Sequence, residues 1–464
     1  MKHFIKTKKG LDIALQGQAE ETVCNVMPSA EIALIPDHFN GIIPKMTVKE
    51  GEQVKAGTVI FYDKNVPMVK FTAPVSGILS CIERGERRKI LSVRITPSAK
   101  IEYEKFPVLD INKASADEIK ELLSNAGMLP FIKQRPFDVI ADPARTPKNI
   151  FVSAWDTAPL AANCEFILKG QGADFQKGID VLTRLTDGKV FVGIKHNSNS
   201  VELRMLKNAE IIELDGPHPI GNVGVQINHI APVNKGDTVW TLNVQAVLYI
   251  GRLFNKGVAD FSKIIALTGT EVVSPRYYKT VVGTTIASFV KGNVYKELPL
   301  RYISGNVLTG TQIEQDGWLN AYDSQITVIR EGSDVHELVG WAMPRFSKFS
   351  VSRTYFSWLL DNKLMKWINK YVPLFDLKYK YDTRILGGER AFIMSGEYDK
   401  VLPMDILPEF LVKAMITEDI DKMEQLGIYE IAPEDLALCE FVCTSKIEVQ
   451  KITRQALDLV KKEV

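Results

Sequence analysis

The stretch that most constrains this chain is Ile35–Ile95, where short β-branched runs alternate with Gly and Pro. The runs are Gly41–Ile43, Val59–Phe61, Met68–Phe71, Gly77–Cys81 and Lys89–Ile95. Apolar runs this short, cut by turn residues, are strands joined by tight corners. In VKEGEQVKAG, Gly51 and Gly57 are spaced to serve two turns flanking a short strand, since Gly accepts positive φ without steric cost. Pro74 and Gly77 in APVSG punctuate the next corner. The N-terminal hundred residues are therefore expected to close as a small all-β unit, leaving most of the 464-residue chain for others. At roughly 150 residues per domain, about three domains are expected.

Composition excludes several classes. Lys+Arg number 57 against 56 Asp+Glu, a net charge of +1, so there is no basic excess of the kind nucleic-acid binding requires. With 45% hydrophobic and 24% charged residues, each unit can bury a core without disulfides or metals. No run reaches the roughly 18–20 apolar residues of a membrane helix. The nearest, Val239–Phe254, contains Thr241, Asn243, Gln245 and Arg252. The opening MKHFIKTKKGLDIALQG lacks the apolar core of a secretory signal, and five scattered cysteines make no disulfide framework. The expectation is a soluble, multidomain, cytoplasmic protein.

Past residue 100 the pattern changes. Asp117–Met128 predicts a helix, with Ile119, Leu122 and Leu123 apolar and Gly127 as its stop. NIFVSAWDTAPLA, KVFVGIKH and EIIELDG read as short buried strands. Between the first two, GADFQKGIDVLTRLTDG predicts a helix with Phe175, Ile179, Leu182 and Leu185 on one face. Alternating strands and helices predict a Rossmann-like α/β domain with a mainly parallel sheet. From Lys263 to Arg330 the chain is strand-rich with regular glycines. The last 130 or so residues turn helical and aromatic: Ser352–Lys370 holds Tyr355, Phe356, Trp358, Leu359, Leu360, Met365 and Trp367, suited to core packing or to a partner. PMDILPEFLVKAMI, TEDIDKMEQLG and EDLALCEFVC read as short helices, the second capped by Thr417 and stopped at Gly427. Ile447–Lys462 is amphipathic through Ile452, Ala456, Leu459 and Val460.

Motifs that carry chemistry are mostly absent from the chain. A dinucleotide fingerprint needs GxGxxG between a strand and a helix, where backbone N–H groups hold the pyrophosphate. Gly170-Gln171-Gly172 lacks the third glycine, and Gly216, Gly221 and Gly224 in GPHPIGNVG are wrongly spaced, so turn duty is expected of both. Asp215 ends a strand as a ribose-binding acid would, without a fingerprint before it. The histidines His3, His38, His196, His218, His229 and His336 form no HxxxH pair and lie near no Cys. Cys439 and Cys443 stand four apart, on one face if the helix continues, while Cys24, Cys81 and Cys164 are isolated. A 4Fe–4S cluster needs four thiolates, so Cys439 and Cys443 read as small buried hydrophobes. No GxSxG elbow or P-loop is present. No catalytic, cofactor-binding or metal-binding residue is expected in this chain alone.

PKMTVKEGEQVKAGTVI followed by FTAPVSGIL resembles a lipoyl/biotinyl-type barrel-sandwich domain. Asp63-Lys64 is the dipeptide that carries the prosthetic group in lipoyl domains, but the ten residues from Lys64 to Pro74 are longer than that fold shows, so Lys64 is expected unmodified. ALTGTEVVSPRYYKTVVGTTIASFV, LPLRYISGNVLTGTQI and SQITVIREG resemble the soluble-ligand-binding β-grasp (SLBB) module of respiratory flavoprotein subunits. The resulting division is 1–100 lipoyl-like, 101–258 Rossmann-like α/β, 259–332 β-grasp and 333–464 helical. That order is similar to the flavin- and iron–sulfur-binding subunit of NADH dehydrogenases and to its relative in Rnf complexes. The wording is more similar still to the A-subunit family of sodium-translocating NADH:quinone reductases. IKTKKGLDIALQG, FTAPVSG, FQKGIDVLTRLTDG, GPHPIGNVG with HIAPVNKGDTVWTLNVQAV, ALTGTEV, LTGT, PMDILPEFLVKAM and EDLALCEFVCTSK carry the match. The chain departs from the family pattern at Gln226, Asn228 and Thr444.

The resemblance implies a peripheral subunit on the cytoplasmic face of a bacterial inner membrane, soluble when isolated, with subunits B to F as its partners and direct contact with a membrane-embedded one. It implies a complex that passes electrons from NADH to ubiquinone and exports Na⁺, with NADH, flavins and the iron–sulfur centre in partner subunits. The chain itself is expected to be cofactor-free, with ubiquinone as its one candidate ligand. The competing expectation is a self-contained redox or acyl carrier using Lys64 or a bound flavin.

Overall fold

The computed structural model describes residues 3–463 except 27–28, 296, 336, 338–339, 341–344, 347, 352, 354, 360–363, 366–367 and 369–377. His336, Leu360 and Trp367 lie outside the described residues. Of the rest of the aromatic stretch, Tyr355 is buried while Phe356, Trp358 and Leu359 are exposed.

The Gly- and Pro-punctuated stretch forms two small antiparallel sheets. One runs Ile32–Leu34, Ile90–Pro97, Gly77–Arg84, Gln53–Val54; the other runs Pro44–Met46, Val59–Asp63, Lys70–Thr72. Alternate side chains of both sheets, among them Val54, Ile60, Phe71, Leu79, Val93 and Ile95, meet in one core. Each such burial contributes about 1.5–3 kcal/mol.

The α/β unit has a seven-stranded sheet in the order His3–Lys6, Glu210–Asp215, Val190–Lys195, Asn149–Ser153, Val239–Asn243, Lys133–Arg135, Val139–Ile140. The first five strands are parallel, and the closing hairpin is antiparallel. The predicted helix is Gly172–Leu182, and Phe175, Ile179, Leu182 and Leu185 are all buried. It packs on Val244–Lys256 at a very short distance. A Cβ on Gly251 would lie 1.7 Å from the Asp174 carbonyl oxygen, and one on Gly178 would lie 2.3 Å from that of Val247. The stretch Val239–Phe254 is thus a strand leading into a helix buried on nearly every side. Its Arg252 is satisfied by the Ser262 carbonyl at 2.6 Å and Gln171 Oε1 at 2.6 Å.

Strand pairing departs from the linear division in one respect. Within 1–100, His3–Lys6 is the edge strand of the α/β sheet, in register with Ile212–Asp215. Glu20–Asn25 joins the β-grasp sheet beside Arg276–Val281. That sheet runs Thr311–Ile313, Leu300–Ser304, Gln325–Arg330, Ser262–Thr268, Arg276–Val281, Glu20–Asn25. The crossing is made where two glycines touch: a Cβ on Gly17 (φ +97°) would lie 2.2 Å from the Gly269 carbonyl oxygen, and Gly269 N–H donates to the Gly17 carbonyl at 3.0 Å. Only residues without side chains tolerate that approach.

The C-terminal unit packs Pro408–Ile416, Ile420–Gln425, Ala437–Val442 and Val449–Glu463 around Leu411, Met423, Leu436, Leu457 and Val460. Two local expectations need correction. Asp419, not Thr417, caps the second helix, its carboxylate accepting from Lys422 N–H at 3.1 Å; Thr417 instead closes the preceding helix. Cys443 is the C-cap of a helix ending at Val442, so Cys439 and Cys443 do not share a continuing helix face. Both thiols are buried, and burial pushes the Cys439 thiol above its ordinary range.

Candidate functional site

The four units meet at a polar cavity of about 130 Å³. His38 and Asn40 of the barrel-sandwich unit line it, with Lys133, Asp138, Val139 and Ile140 of the edge hairpin, Tyr322 of the β-grasp unit, and Pro433 and Arg454 of the helical unit. The hairpin turn brings its charge there through Phe137 and Asp138, both in left-handed conformations at φ 80° and 48°. Phe137 thereby reaches the Tyr429 ring at 6.1 Å, while Asp138 faces Lys133 at 3.4 Å.

The electrostatics follow from this crowding. Burial would raise the Asp138 carboxyl, but Lys133, Arg135 and Arg454 outweigh it and hold it below the usual carboxylate range. Lys133 Nζ also lies 4.7 Å from the centre of the Tyr322 ring, whose hydroxyl donates to the Pro130 carbonyl at 2.6 Å. Burial pulls His38 down to about 4, so it is a neutral imidazole at pH 7. Beside them Lys263 is buried, its ammonium donating to the Ala321 and Asp323 carbonyls at 3.1 and 2.6 Å; burial lowers it to about 8. The wall thus combines cationic donors, a neutral imidazole, an aromatic face and aliphatic side chains. It can hold a small ring bearing oxygen acceptors.

Behind the cavity lies an ion cluster that joins two units. Arg135 is 1% exposed and donates to Asp435 Oδ2 at 3.0 Å and Glu434 Oε1 at 2.7 Å. Burial alone would lower the Arg135 pKa, but Asp435, Asp138 and Glu434 reverse that and raise it. Sequence reasoning missed this cluster, because the partners stand about 300 positions apart. A local signal did exist in GPHPIGNVG. A Cβ on Gly224 would lie 2.3 Å from Asp435 Oδ2, and Asn222 donates to the Glu434 carbonyl at 3.1 Å; one turn beyond the motif, Asn228 donates to Glu430 Oε2 at 2.7 Å while accepting from Asp405 N–H. The motif is the ledge on which the helical unit docks.

The other sequence candidates are dispersed. Gly170 N–H donates to Glu202 Oε1 at 3.2 Å, so a carboxylate of the chain itself occupies that glycine turn. Asp215 pairs with Lys6 at 2.7 Å. Gly221 N–H donates to Thr157 Oγ1 at 3.1 Å. Gln226 is buried, its amide donating to the Gly221 carbonyl at 3.1 Å. His3, His196 and His229 pair with Glu210, Glu213 and the Val225 carbonyl respectively. His218 is buried against Thr157 Oγ1 at 3.1 Å. Lys64 is exposed just after Asp63, whose carboxylate accepts from the Ile43 and Asn65 N–H groups and fixes the turn. Among the described residues, no group of three or more His, Cys, Asp or Glu is arranged to hold a metal ion, and no helix is long and apolar enough to cross a membrane.

Fold and junction together define a multidomain chain with barrel-sandwich, α/β, β-grasp and helical parts closed around one polar cavity. Three family descriptions match it: the NqrA N-terminal barrel-sandwich hybrid domain over residues 5–98, the NqrA second alpha/beta domain over 114–259, and the NQRA C-terminal domain over 264–315. The A-subunit of the Na⁺-translocating NADH-quinone reductase of Neisseria meningitidis serogroup B is 39% identical over 464 residues, covering 99% of this chain and 100% of that one. Proteins of the same name from Pasteurella multocida and Yersinia pestis bv. Antiqua are 36% and 37% identical, at the same coverage. The chain belongs to the NqrA family, the A-subunits of the Na⁺-translocating NADH-quinone reductases. A chain of an NAD⁺-reducing NiFe-hydrogenase aligns with 41% of this one at 14% identity and a TM-score of 0.30, too low to bear on the argument.

Proposed function

We propose that this chain is a peripheral, cofactor-free subunit of a sodium-pumping NADH:ubiquinone reductase. It sits on the cytoplasmic face of the bacterial inner membrane, docked on a membrane-embedded member of subunits B to F, and supports quinone reduction coupled to Na⁺ export. The observation that carries the reading is the end-to-end match to relatives of that name, with 99% of this chain and all of each relative aligned. The junction cavity supports a quinone-holding role. Lys133 and Arg454 offer N–H donors toward the carbonyl oxygens of a quinone ring, and Tyr322, Val139, Ile140 and Pro433 offer the apolar wall it needs.

The test is removal of this subunit from the assembled complex. Quinone reduction is expected to disappear while NADH oxidation by artificial acceptors persists, because hydride is taken up elsewhere. Loss of both in an otherwise assembled complex would place hydride uptake in this chain and defeat the reading. Lys133→Met, which keeps the stem and removes the ammonium, should raise KM for quinone more than it lowers kcat. The isolated chain should be soluble and colourless, with an intact mass showing Lys64 unmodified; stoichiometric flavin absorption or a lipoyl increment would return the carrier hypothesis.

A further inference from the structure

We propose that the hairpin turn Arg84–Lys89, at the tip of the barrel-sandwich unit, is a contact for anionic phospholipid headgroups. The turn joins Gly77–Arg84 to Ile90–Pro97, the longest strand pair in that unit. Arg87 and Arg88 both sit in left-handed conformations, at φ 52° and 62°. Such turns favour Gly or Asn, and a side chain there is strained. Two consecutive arginines at these positions have no packing role, since both are exposed, as is Arg84. Arg84 Nη1 closes the turn by donating to the Arg88 carbonyl at 3.3 Å. Strain kept where nothing is packed points to what the side chains meet outside the fold.

The neighbouring charges are already paired. Lys89 pairs with Asp37 at 2.7 Å, and Glu83 with Arg94 at 2.6 Å. Among the described residues, Arg84, Arg87 and Arg88 have no carboxylate within ion-pairing distance, and Glu86 is the one acid between Arg84 and Lys89. The tip is therefore an exposed, net-positive point with Leu91, 37% exposed, packed over Gly85. A stable protein interface takes about 20–30 residues a side, and the turn Arg84–Lys89 is far shorter than that. Lipid phosphates ask for no matching shape, and the guanidinium fork suits them. The proposal takes from the functional reading only that a membrane is the surface at hand.

The test uses the purified full chain, so its failure does not touch the assignment of the complex. Co-sedimentation with phosphatidylcholine vesicles is compared with co-sedimentation when part of that lipid is phosphatidylglycerol. Binding should require the anionic lipid and weaken as salt rises. Each of Arg84→Gln, Arg87→Gln and Arg88→Gln should lower the apparent affinity about fivefold, and the triple variant about a hundredfold, as cations at a membrane surface contribute. Arg87→Gly with Arg88→Gly relaxes the turn while removing two of the three charges, and should lower the apparent affinity about 25-fold with a Tm no lower than that of the wild type. Equal binding to neutral and anionic vesicles, or wild-type binding by the triple variant, overturns the proposal. So does a triple variant that keeps vesicle binding but no longer co-purifies with its partner subunits, which would assign the tip to an acidic protein surface.

Discussion

Replacing Arg135 by Met keeps most of the side-chain volume and removes the guanidinium that holds the helical unit to the α/β sheet. Its partner Asp435 is fully buried and would keep a single donor, Ala432 N–H at 2.9 Å. Removing one member of a buried pair costs about 3–5 kcal/mol, because a charge is left uncompensated in low dielectric. Burial already pushes the Asp435 carboxyl above its ordinary value, with Arg135 opposing the rise; without Arg135 it must rise further. A carboxyl whose folded pKa exceeds its unfolded one loses stability as pH rises through the folded value, so Arg135→Met should recover on acidification. The loss should concentrate in the helical unit. Amide exchange in Val449–Glu463 is therefore the assay, with protection falling by roughly a hundredfold or more at neutral pH. Adding Asp435→Asn removes the stranded charge, and the double variant should lose about 2 kcal/mol less than the sum of the single losses. An exchange change below about fivefold, or strict additivity, would refute the argument.

Gly251→Ala should be the most damaging single methyl in the α/β unit, since its Cβ would meet a backbone oxygen at 1.7 Å and the two helices must separate. A loss of at least about 1–3 kcal/mol is expected by chemical denaturation; wild-type stability would show that the helices slide freely. His218 is held neutral by burial, its pKa lowered from 6.5 to about 4. A base whose folded pKa is depressed gives full stability above pH 6.5 and loses it toward pH 4, here by about 3 kcal/mol. His218→Asn should flatten that acid limb in a pH series of melting curves, and an unchanged slope would count against it.

The local grammar was readable from the chain. Val59–Phe61, Gly77–Cys81 and nearly all of Lys89–Ile95 lie in strands, and the helical spacing of Phe175, Ile179 and Leu182 became a buried helix face. Two of the expected strands are displaced: Gly41–Ile43 is turn and loop, the strand beginning at Pro44, and of Met68–Phe71 only Lys70 and Phe71 pair, because Pro67 and Met68 are still in the turn. What escaped were relations without local trace. In TEDID both Thr417 and Asp419 are competent caps, and the choice falls to Asp419 because Thr417 is already committed to the preceding helix and Glu418 turns through φ 54° between them. The cavity was illegible for a stronger reason: its lining comes from four units, and no spacing rule relates Lys133 to Arg454 or His38 to Tyr322. Its nearest visible sign was a glycine-rich motif, which reads as a turn until the carboxylate pressed against Gly224 is seen.

The split allegiance of the first twenty-five residues has a consequence in time. The partner of His3–Lys6 lies at residues 212–215, and that of Glu20–Asn25 lies within Arg276–Val281. A ribosome adding about 5–20 residues per second needs roughly ten to forty seconds to cross the first of those gaps. During that interval the barrel-sandwich hairpins can close, while the leading strand, with Phe4 and Ile5, has nothing to pair with. The start of the chain is thus fastened late, and a nascent chain halted before residue 212 would present that strand to chaperones as an unclaimed edge.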